Sequence, residues 1–331
     1  MRYFSLLVLV AGGFIWGFGH KANLDVLNGF KTAILTLAKR DLVVIKPRSG
    51  IENPFLPSQV MWRGSIENEL LKETSGLVQS RTNSSIFFAI NDSGNPAKLF
   101  GLDRNGRHLG SWDIEYGSGH DFEDLSAFSV MGEAFLLIAD TGDNLNWRKM
   151  QSLLILKEPS LETAGQKLKV HRRVTFSFRD GYRDIESVAV ADFGKSAYLV
   201  SKKRIPPELF RVSLEDQGHQ TLQAIESIES IPAPTALDLD RRGRYGIYSS
   251  APTAMDISSG DAVILTYKEL YLFEKQVGED WANAFTHVPQ KIPLPQIYGL
   301  ESVTFAGPRK ILLTGERENG RKASEIFEVS Y

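Results

Sequence analysis

The residues best suited to chemistry in this sequence are carboxylates placed at the edges of short apolar runs. Some come just before such a run, as in the motif Asp121-Phe122-Glu123-Asp124, and others, such as Asp92 and Asp140, come directly after one. Carboxylate oxygens are the ligands that calcium prefers, and the ion takes roughly six to eight of them. The pattern predicts a calcium site with ligands drawn from Glu123, Asp124, Glu186, Asp256, Glu301, Asp140 and Asp92.

Basic side chains accompany these acids. Lys202 follows the apolar run of the third unit, Arg148 follows the Asp140 turn, and His120 directly precedes Asp121. We therefore expect a small anionic ligand or ester beside the metal, with Lys202 or Arg148 steadying its charge and His120 acting as a general base. Two alternatives stay open. His120 could be a loop residue without a role, and the acids after the runs could simply form turns.

Several classes of protein are excluded or lack support. The chain has no cysteine, which excludes disulfides, zinc-thiolate sites and cysteine nucleophiles. The sequence also lacks a serine-hydrolase elbow, a phosphate-binding loop, a dinucleotide glycine motif and a zincin helix. The net charge is −2 and the basic residues are scattered, so no nucleic acid partner is expected.

The elements that carry the acids recur in order along the chain. The sequence contains five successive units with the same order of elements. Each unit has an apolar strand, a second strand that in several units ends in Asp or Asn residues typical of turns, and a third strand. The units begin near Leu77, Leu125, Val188, Ile257 and Val303. Four short strands per unit match a propeller blade, so we predict an all-β propeller of four-stranded blades, five in number. A sixth, degenerate blade is an alternative, and a β-sandwich or two smaller β domains is another.

The last unit lacks a fourth strand because the chain ends at Tyr331. We expect residues 42–45 to supply it and close the ring. If the five units superimpose, two adjacent levels of one channel mouth carry the acids. The first level holds Ser75, Glu123, Glu186, Met255 and Glu301. The next holds Gly76, Asp124, Ser187, Asp256 and Ser302.

The N-terminus predicts export. Residues 1–20 combine Arg2 with an apolar run from Phe4 to Phe18, which is typical of a signal peptide or a membrane anchor. Residues 21–40 read as a helical lead-in, and residues 41–331 form the propeller. We expect a periplasmic or secreted protein, anchored if the segment is not cleaved. It would be a monomer that meets a membrane only through this segment.

The chain resembles a group of bacterial exported β-propeller proteins, most of them without an assigned activity. The resemblance covers roughly residues 70–330. It rests on five motifs in order: Asn91-Asp92-Ser93-Gly94, Asp121-Phe122-Glu123-Asp124-Leu125, Asp140-Thr141-Gly142-Asp143-Asn144, Asp180-Gly181 with Asp184-Ile185-Glu186, and Asp256-Ile257-Ser258.

More distantly, the chain is similar to calcium-dependent propeller hydrolases of the phytase-like, gluconolactonase and paraoxonase types. That similarity implies a calcium-assisted attack of water on a phosphate ester or lactone. Two units do not carry an acid at the end of the second strand, as an acidic ring would require. The third unit has Lys202 there, and the fourth has Thr266-Tyr267. The leading hypothesis is thus a binding protein for calcium and a small anionic ligand. The alternatives are a calcium-dependent phosphoesterase or lactonase and a structural interaction protein of the cell envelope.

Overall fold

The computed structural model describes Val44–Ile45, residues 51–317 and residues 323–331. Within these ranges the chain forms five sheets arranged as the blades of a β-propeller, which confirms the predicted fold and the count of five. Each blade has an antiparallel core of four strands. The apolar segment 1–20 and the lead-in 21–40 lie outside the described residues. Among the residues that are described, no helix has the length and hydropathy needed to cross a bilayer.

The strands of each blade follow one another from the channel outward. In blade 1 they are Thr74–Gln79, Phe87–Asn91, Lys98–Leu102 and His108–Ile114. In blade 2 they are Phe122–Val130, Glu133–Asp140, Gln151–Lys157 and Arg172–Phe178. In blade 3 they are Ile185–Ala191, Ser196–Ser201, Glu208–Ser213 and Glu226–Ser227. In blade 4 they are Pro252–Ile257, Asp261–Thr266, Glu269–Glu274 and Gln290–Pro293. In blade 5 they are Leu300–Phe305, Lys310–Gly315, Glu325–Ser330 and Gln59–Ser65.

Several short elements accompany the blades within the described residues. Lys167–Leu168 and Gln220–Leu222 add parallel strands to the outer edges of blades 1 and 2. The α-helices are Ala236–Arg242 and Trp281–Ala284, and the 3-10 helices are Leu161–Thr163, Asp192–Gly194 and Gly243–Tyr248.

Closure of the ring uses a different strand from the predicted one. Gln59–Ser65 pairs antiparallel with Glu325–Ser330 and becomes the outer strand of blade 5. The prediction that residues 42–45 would close the ring was wrong, because Val44–Ile45 pairs in parallel with Arg204–Ile205. The apolar character of residues 42–45 suggested a sheet strand. An outer strand has one face in solvent, however, and Gln59–Ser65 has the mixed polarity that this position requires.

The core consists of five apolar clusters, one between each pair of neighbouring blades. The middle strands of each blade are covered on both faces, so they are continuous apolar runs such as Phe135–Ile138. Phe128 and Phe210, for example, belong to one cluster that joins blade 2 to blade 3. This packing fixes the innermost strands around the channel, and these strands carry the acids.

Candidate functional site

A β-bulge near the start of every innermost strand places one extra residue at the mouth of the channel. The pairing with the second strand skips one residue in each blade, and the skipped residues are Ser75, Glu123, Glu186, Thr253 and Glu301. A bulge bends its strand and redirects a side chain. The predicted ring was correct in four blades and wrong in blade 4, where the bulged residue is Thr253. Met255 lies two residues further along and is buried in the core between blades 3 and 4.

A second ring surrounds the first. It consists of the residue that directly follows the second strand of each blade, namely Asp92, Thr141, Lys202, Tyr267 and Glu316. The two rings lie at the same end of the blades. Glu186 pairs with Lys202, Glu301 accepts a hydrogen bond from Tyr267, and an oxygen of Glu123 lies within 4.8 Å of one of Asp92. The charge of these neighbours divides the mouth into two regions.

The first region, here called the open cluster, consists of Asp92, Asp121 and Glu123. One carboxylate oxygen from each of the three lies within 4.8 Å of the other two. Glu123 is only 5% exposed. Among the described residues, no group donates a hydrogen bond to Glu123 Oε1 or to Asp121 Oδ1, although both atoms are buried. A bound water or ion commonly satisfies a buried acceptor that has no protein donor.

Gly142 makes room for this cluster. Its backbone N–H donates to the Asp121 carbonyl at 3.2 Å, so the turn runs close under the acids. A Cβ atom at this position would overlap Glu123 Oε1 and Asp121 Oδ2. The glycine is therefore required by close approach of the backbone to the two carboxylates.

Burial and mutual repulsion raise the pKa values of the carboxyl groups in the open cluster. Desolvation, Glu301 and Asp121 together raise the pKa of Asp92 to about 8. Burial is also the main cause that raises the pKa of Asp121 and of Glu123, and neighbouring carboxylates add to it. A raised pKa means that these groups hold their protons to higher pH than ordinary carboxyl groups, and a bound cation would oppose the shift.

The second region, here called the paired cluster, contains Asp184, Glu186 and Glu301 with two lysines. Lys202 Nζ forms an ion pair with Glu186 and lies 3.9 Å from Glu301 Oε1. Lys203 Nζ lies 2.9 Å from Asp184 Oδ2. Burial alone would lower the pKa of Lys202, but Glu186 and the acids around it outweigh that effect and raise it. Lys202 is thus a buried, permanently charged counterion.

Tyr267 completes the paired cluster. Its hydroxyl donates to Glu301 Oε1 at 2.6 Å, and its ring lies 5.5 Å from Lys202 Nζ. Glu123 cannot be assigned to one region alone, because one of its oxygens also lies within 4.8 Å of oxygens of Asp184 and Glu186. Glu123 is therefore the residue that joins the two clusters.

Asp140 and Arg148 support the loop beneath the open cluster. Asp140 accepts hydrogen bonds from the Tyr116 hydroxyl at 2.7 Å and from the Asp121 backbone N–H at 2.9 Å. Arg148 Nη2 donates to Asp140 at 2.7 Å, and Nη1 donates to the Gly142 carbonyl at 2.9 Å. The two side chains hold the backbone of Asp121 and Gly142 in place.

His120 packs against the ring of Phe122 at the start of blade 2. Its ring centroid lies 4.3 Å from that of Phe122, and Nδ1 lies 3.2 Å from the Gly117 carbonyl. The geometry gives this imidazole a packing role at the start of blade 2. A role as general base remains a prediction.

Asp124 and Asp256 lie deeper in the channel, where they cross-link the innermost strands. Asp124 Oδ2 accepts backbone hydrogen bonds from Val188 at 2.7 Å and Met255 at 3.1 Å. Asp256 Oδ2 accepts one from Phe305 at 2.9 Å. Neighbouring innermost strands do not form a common sheet, so these carboxylates satisfy backbone donors that would otherwise be buried without a partner. Neither residue belongs to the open cluster.

Two site residues were missing from the predicted ligand set. Asp121 and Asp184 each precede a bulged glutamate by two residues, so blades 2 and 3 share an Asp-x-Glu pattern. That repetition is visible in the sequence and could have identified both acids. The partners Lys203 and Glu316 carry no comparable signal, because their proximity depends on how the second strands end.

Comparisons with known proteins do not identify the function. No protein-family model and no curated protein matches the sequence. Among solved structures, the chain is similar to the PQQ-bound aldose sugar dehydrogenase from Streptomyces coelicolor, with 13% identity over 84% of this chain and 100% of that one and a TM-score of 0.46. A luciferin-regenerating enzyme matches with 8% identity, 83% and 96% coverage and a TM-score of 0.40. Likenesses this remote leave the function to be argued from the site.

Proposed function

We propose that the protein is an exported β-propeller that binds a divalent cation, calcium, at Asp92, Asp121 and Glu123. The observation that carries the proposal is the buried Oε1 of Glu123, which has no donor among the described residues while two further carboxylates lie within 4.8 Å. Calcium lies about 2.4 Å from each oxygen ligand, so ligand atoms on opposite sides of the ion are about 4.8 Å apart. The spacing of the open cluster fits that span.

The donor set favours a hard cation. All three side chains offer oxygen, and neither histidine nor cysteine takes part, which disfavours zinc and copper. A bound ion would neutralise carboxylates whose ionised form burial and mutual repulsion disfavour. Export through residues 1–20 would place the protein in a periplasmic or extracellular space, where calcium sites bind in a range of roughly 10⁻⁴ to 10⁻³ M.

A small anionic ligand would reach this site through the cation. Lys202 and Arg148, the two basic residues predicted to hold the ligand, already pair with Glu186 and Asp140. An anion arriving at the mouth would otherwise meet a surplus of carboxylates. In the proposed function the lysine and the arginine position acids, and the open coordination positions of the ion bind the ligand.

The alternative function is a calcium-dependent phosphoesterase or lactonase. The ion would polarise a phosphoryl or carbonyl oxygen, and the reaction would also need a base to activate water. His120 packs on Phe122, and Asp92 is the acid of the open cluster whose pKa lies close to neutral pH, at about 8. A turnover assay with phosphate esters and lactones, with and without calcium, separates the enzyme from the binding protein.

The decisive experiment is calcium titration calorimetry on the full chain in detergent, after treatment with a chelator. We expect one calcium ion per chain, and at least about 100-fold weaker binding in Glu123→Gln, because the variant loses a charged ligand. Glu133→Gln is the matched control, since Glu133 is exposed on a hairpin between the first two strands of blade 2. No heat of binding in the wild type, or equal affinity in Glu123→Gln, would refute the proposal.

A further inference from the structure

A second group of charged side chains lies away from the mouth, where blade 5 meets blade 1. Its centre is Glu328 in the third strand of blade 5, whose side chain is fully buried. The second strand of each blade ends at the mouth, so Lys310, which begins the second strand of blade 5, lies toward the opposite face. Arg104 comes from the hairpin between the third and fourth strands of blade 1, at that same face.

Three cations share the one carboxylate of Glu328. Arg63 Nη2 donates to Oε1 at 2.5 Å, and Lys310 Nζ lies 3.3 Å from the same oxygen. Arg104 Nη1 donates to Oε2 at 2.7 Å. Burial alone would raise the pKa of Glu328, but the three cations outweigh burial and lower it, so the carboxylate is ionised. These four side chains are here called the cationic group, and three positive charges with one negative charge leave it a net charge of +2.

No other acid neutralises this charge within the part of the chain that the structure describes. Each of the three cations forms an ion pair with Glu328 and with no second carboxylate there. Arg63 also has a buried Nε atom, and among the same residues no group accepts a hydrogen bond from it. A buried donor without an acceptor has lost its hydration, so a ligand that supplies an acceptor oxygen would be bound favourably.

Closure of the propeller accounts for two of the cations. A β-bulge in the closing strand Gln59–Ser65 leaves Arg63 without a paired residue, and its side chain reaches Glu328 of the neighbouring strand. Arg104 joins blade 1 to blade 5 through Glu328 and through the Ala306 carbonyl, at 2.6 Å. Lys310 lies in the strand that already pairs with Glu325–Ser330, so its ion pair connects no further element. Closure therefore does not explain the third cation.

The three cations are partly open to solvent. Their side chains are 30 to 42% exposed, whereas Glu328 is not exposed at all. Arginine and lysine side chains bind phosphate in many proteins, because they donate charge-assisted hydrogen bonds to its oxygens. We propose that the cationic group binds a phosphate group, free or esterified, whose negative charge and acceptor oxygens add to those of Glu328. This site is separate from the open cluster and does not depend on calcium.

The test is phosphate binding to the full-length protein in detergent with a chelator present. Without calcium, the mouth presents an anion with a surplus of carboxylates, so binding there is disfavoured. Titration calorimetry with inorganic phosphate, and separately with glycerol phosphate, measures the free and the esterified form. Lys310→Met removes one positive charge and leaves both arginines on Glu328. Arg107→Met is the matched control, because Arg107 lies in the same hairpin as Arg104, is 66% exposed and pairs with Asp103.

We expect one phosphate per chain for at least one of the two forms, and binding about 10-fold or more weaker in Lys310→Met, because a charge-assisted hydrogen bond is lost. Lys310→Arg should restore most of the affinity, and Arg107→Met should change it by less than about twofold. Urea midpoints confirm that each variant is folded.

Absence of binding in the wild type for both forms would overturn the proposal. Equal affinity in Lys310→Met, or an equal loss in Arg107→Met, would also overturn it, since binding would then follow the general surface charge. Each of these outcomes leaves the calcium proposal standing, because that proposal is measured with calcium and without phosphate.

Discussion

The open cluster and the paired cluster are built from the same strand geometry but differ in their counterions. In blades 2 and 3 a bulged glutamate follows an aspartate by two residues, as Asp121 and Glu123 and as Asp184 and Glu186. The residues that surround each glutamate then decide the chemistry. In blade 3 the residue after the second strand, Lys202, pairs with Glu186. In blade 2 the equivalent residue is Thr141, whose hydroxyl donates to the Ile185 carbonyl, and Glu123 faces Asp92 of blade 1. One backbone plan thus yields a self-neutralised region and a region that needs a cation from outside.

Removal of the lysine is expected to have the largest effect. Lys202→Met would leave Glu186 buried without its counterion, and the loss of one partner from a buried ion pair costs about 3–5 kcal/mol of unfolding free energy. Urea unfolding of the calcium-free protein at neutral pH measures the change. Lys98→Met is the matched control, because its partner Asp113 is half exposed, and it should cost about 1 kcal/mol or less.

The comparison predicts the opposite sign for the open cluster. In the same calcium-free assay, Glu123→Gln replaces a carboxyl group that must either take up a proton or bury a charge beside other acids when the chain folds, so the variant should unfold at higher urea than the wild type. If Glu123→Gln were as destabilising as Lys202→Met, Glu123 would have an internal counterion, and the distinction between the clusters would fail.

A second consequence is a pH dependence that calcium should abolish. The folded-state pKa of Asp92 is raised to about 8 and that of Glu316 to about 7, so the folded protein binds more protons than the unfolded chain between acid pH and these values. Without calcium, stability should therefore fall as pH rises from about 4 to 8, on the order of 3 kcal/mol after allowance for solvent screening.

Urea unfolding across this range, with a chelator and then with excess calcium, tests the dependence. Bound calcium requires the ionised carboxylates, so the ion should bind more tightly as pH rises and should reverse the slope. If the stability of the calcium-free protein rose between pH 5 and 8, other titrating groups would determine its pH dependence. The carboxyl groups of the open cluster would then not have the raised pKa values on which this prediction depends.

The fold could be predicted because blades repeat. Five strand pairs with matched turns indicated five blades, and the apolar middle strands were recognisable because both of their faces are buried. The closing strand could not be found in this way. Gln59–Ser65 is half exposed, and a strand with mixed polarity resembles a loop until its partner Glu325–Ser330 is known.

The candidate site was predictable only in outline. Glu123, Glu186 and Glu301 were placed at one level correctly, since their bulges occur at the same position of each blade. Whether a carboxylate is free or already bonded depends on contacts between blades, as Asp124 shows by accepting N–H groups from two other strands. No spacing along one strand contains that information.

The smallest change that should distinguish the two clusters is one methyl group. In Gly142→Ala the new Cβ would push Glu123 Oε1 and Asp121 Oδ2 apart, and because both are side-chain ends they can move without unfolding the turn. We expect calcium affinity to fall about 10- to 100-fold by calorimetry, the range found when the support of a metal ligand is altered. The urea midpoint without calcium should change little.

Gly94→Ala is a matched control, because Gly94 lies two residues after Asp92 and has open space at its Cβ position, although its φ of +78° strains any substitution. A large loss of stability in Gly142→Ala with unchanged calcium affinity would mean that the glycine serves the turn and not the open cluster.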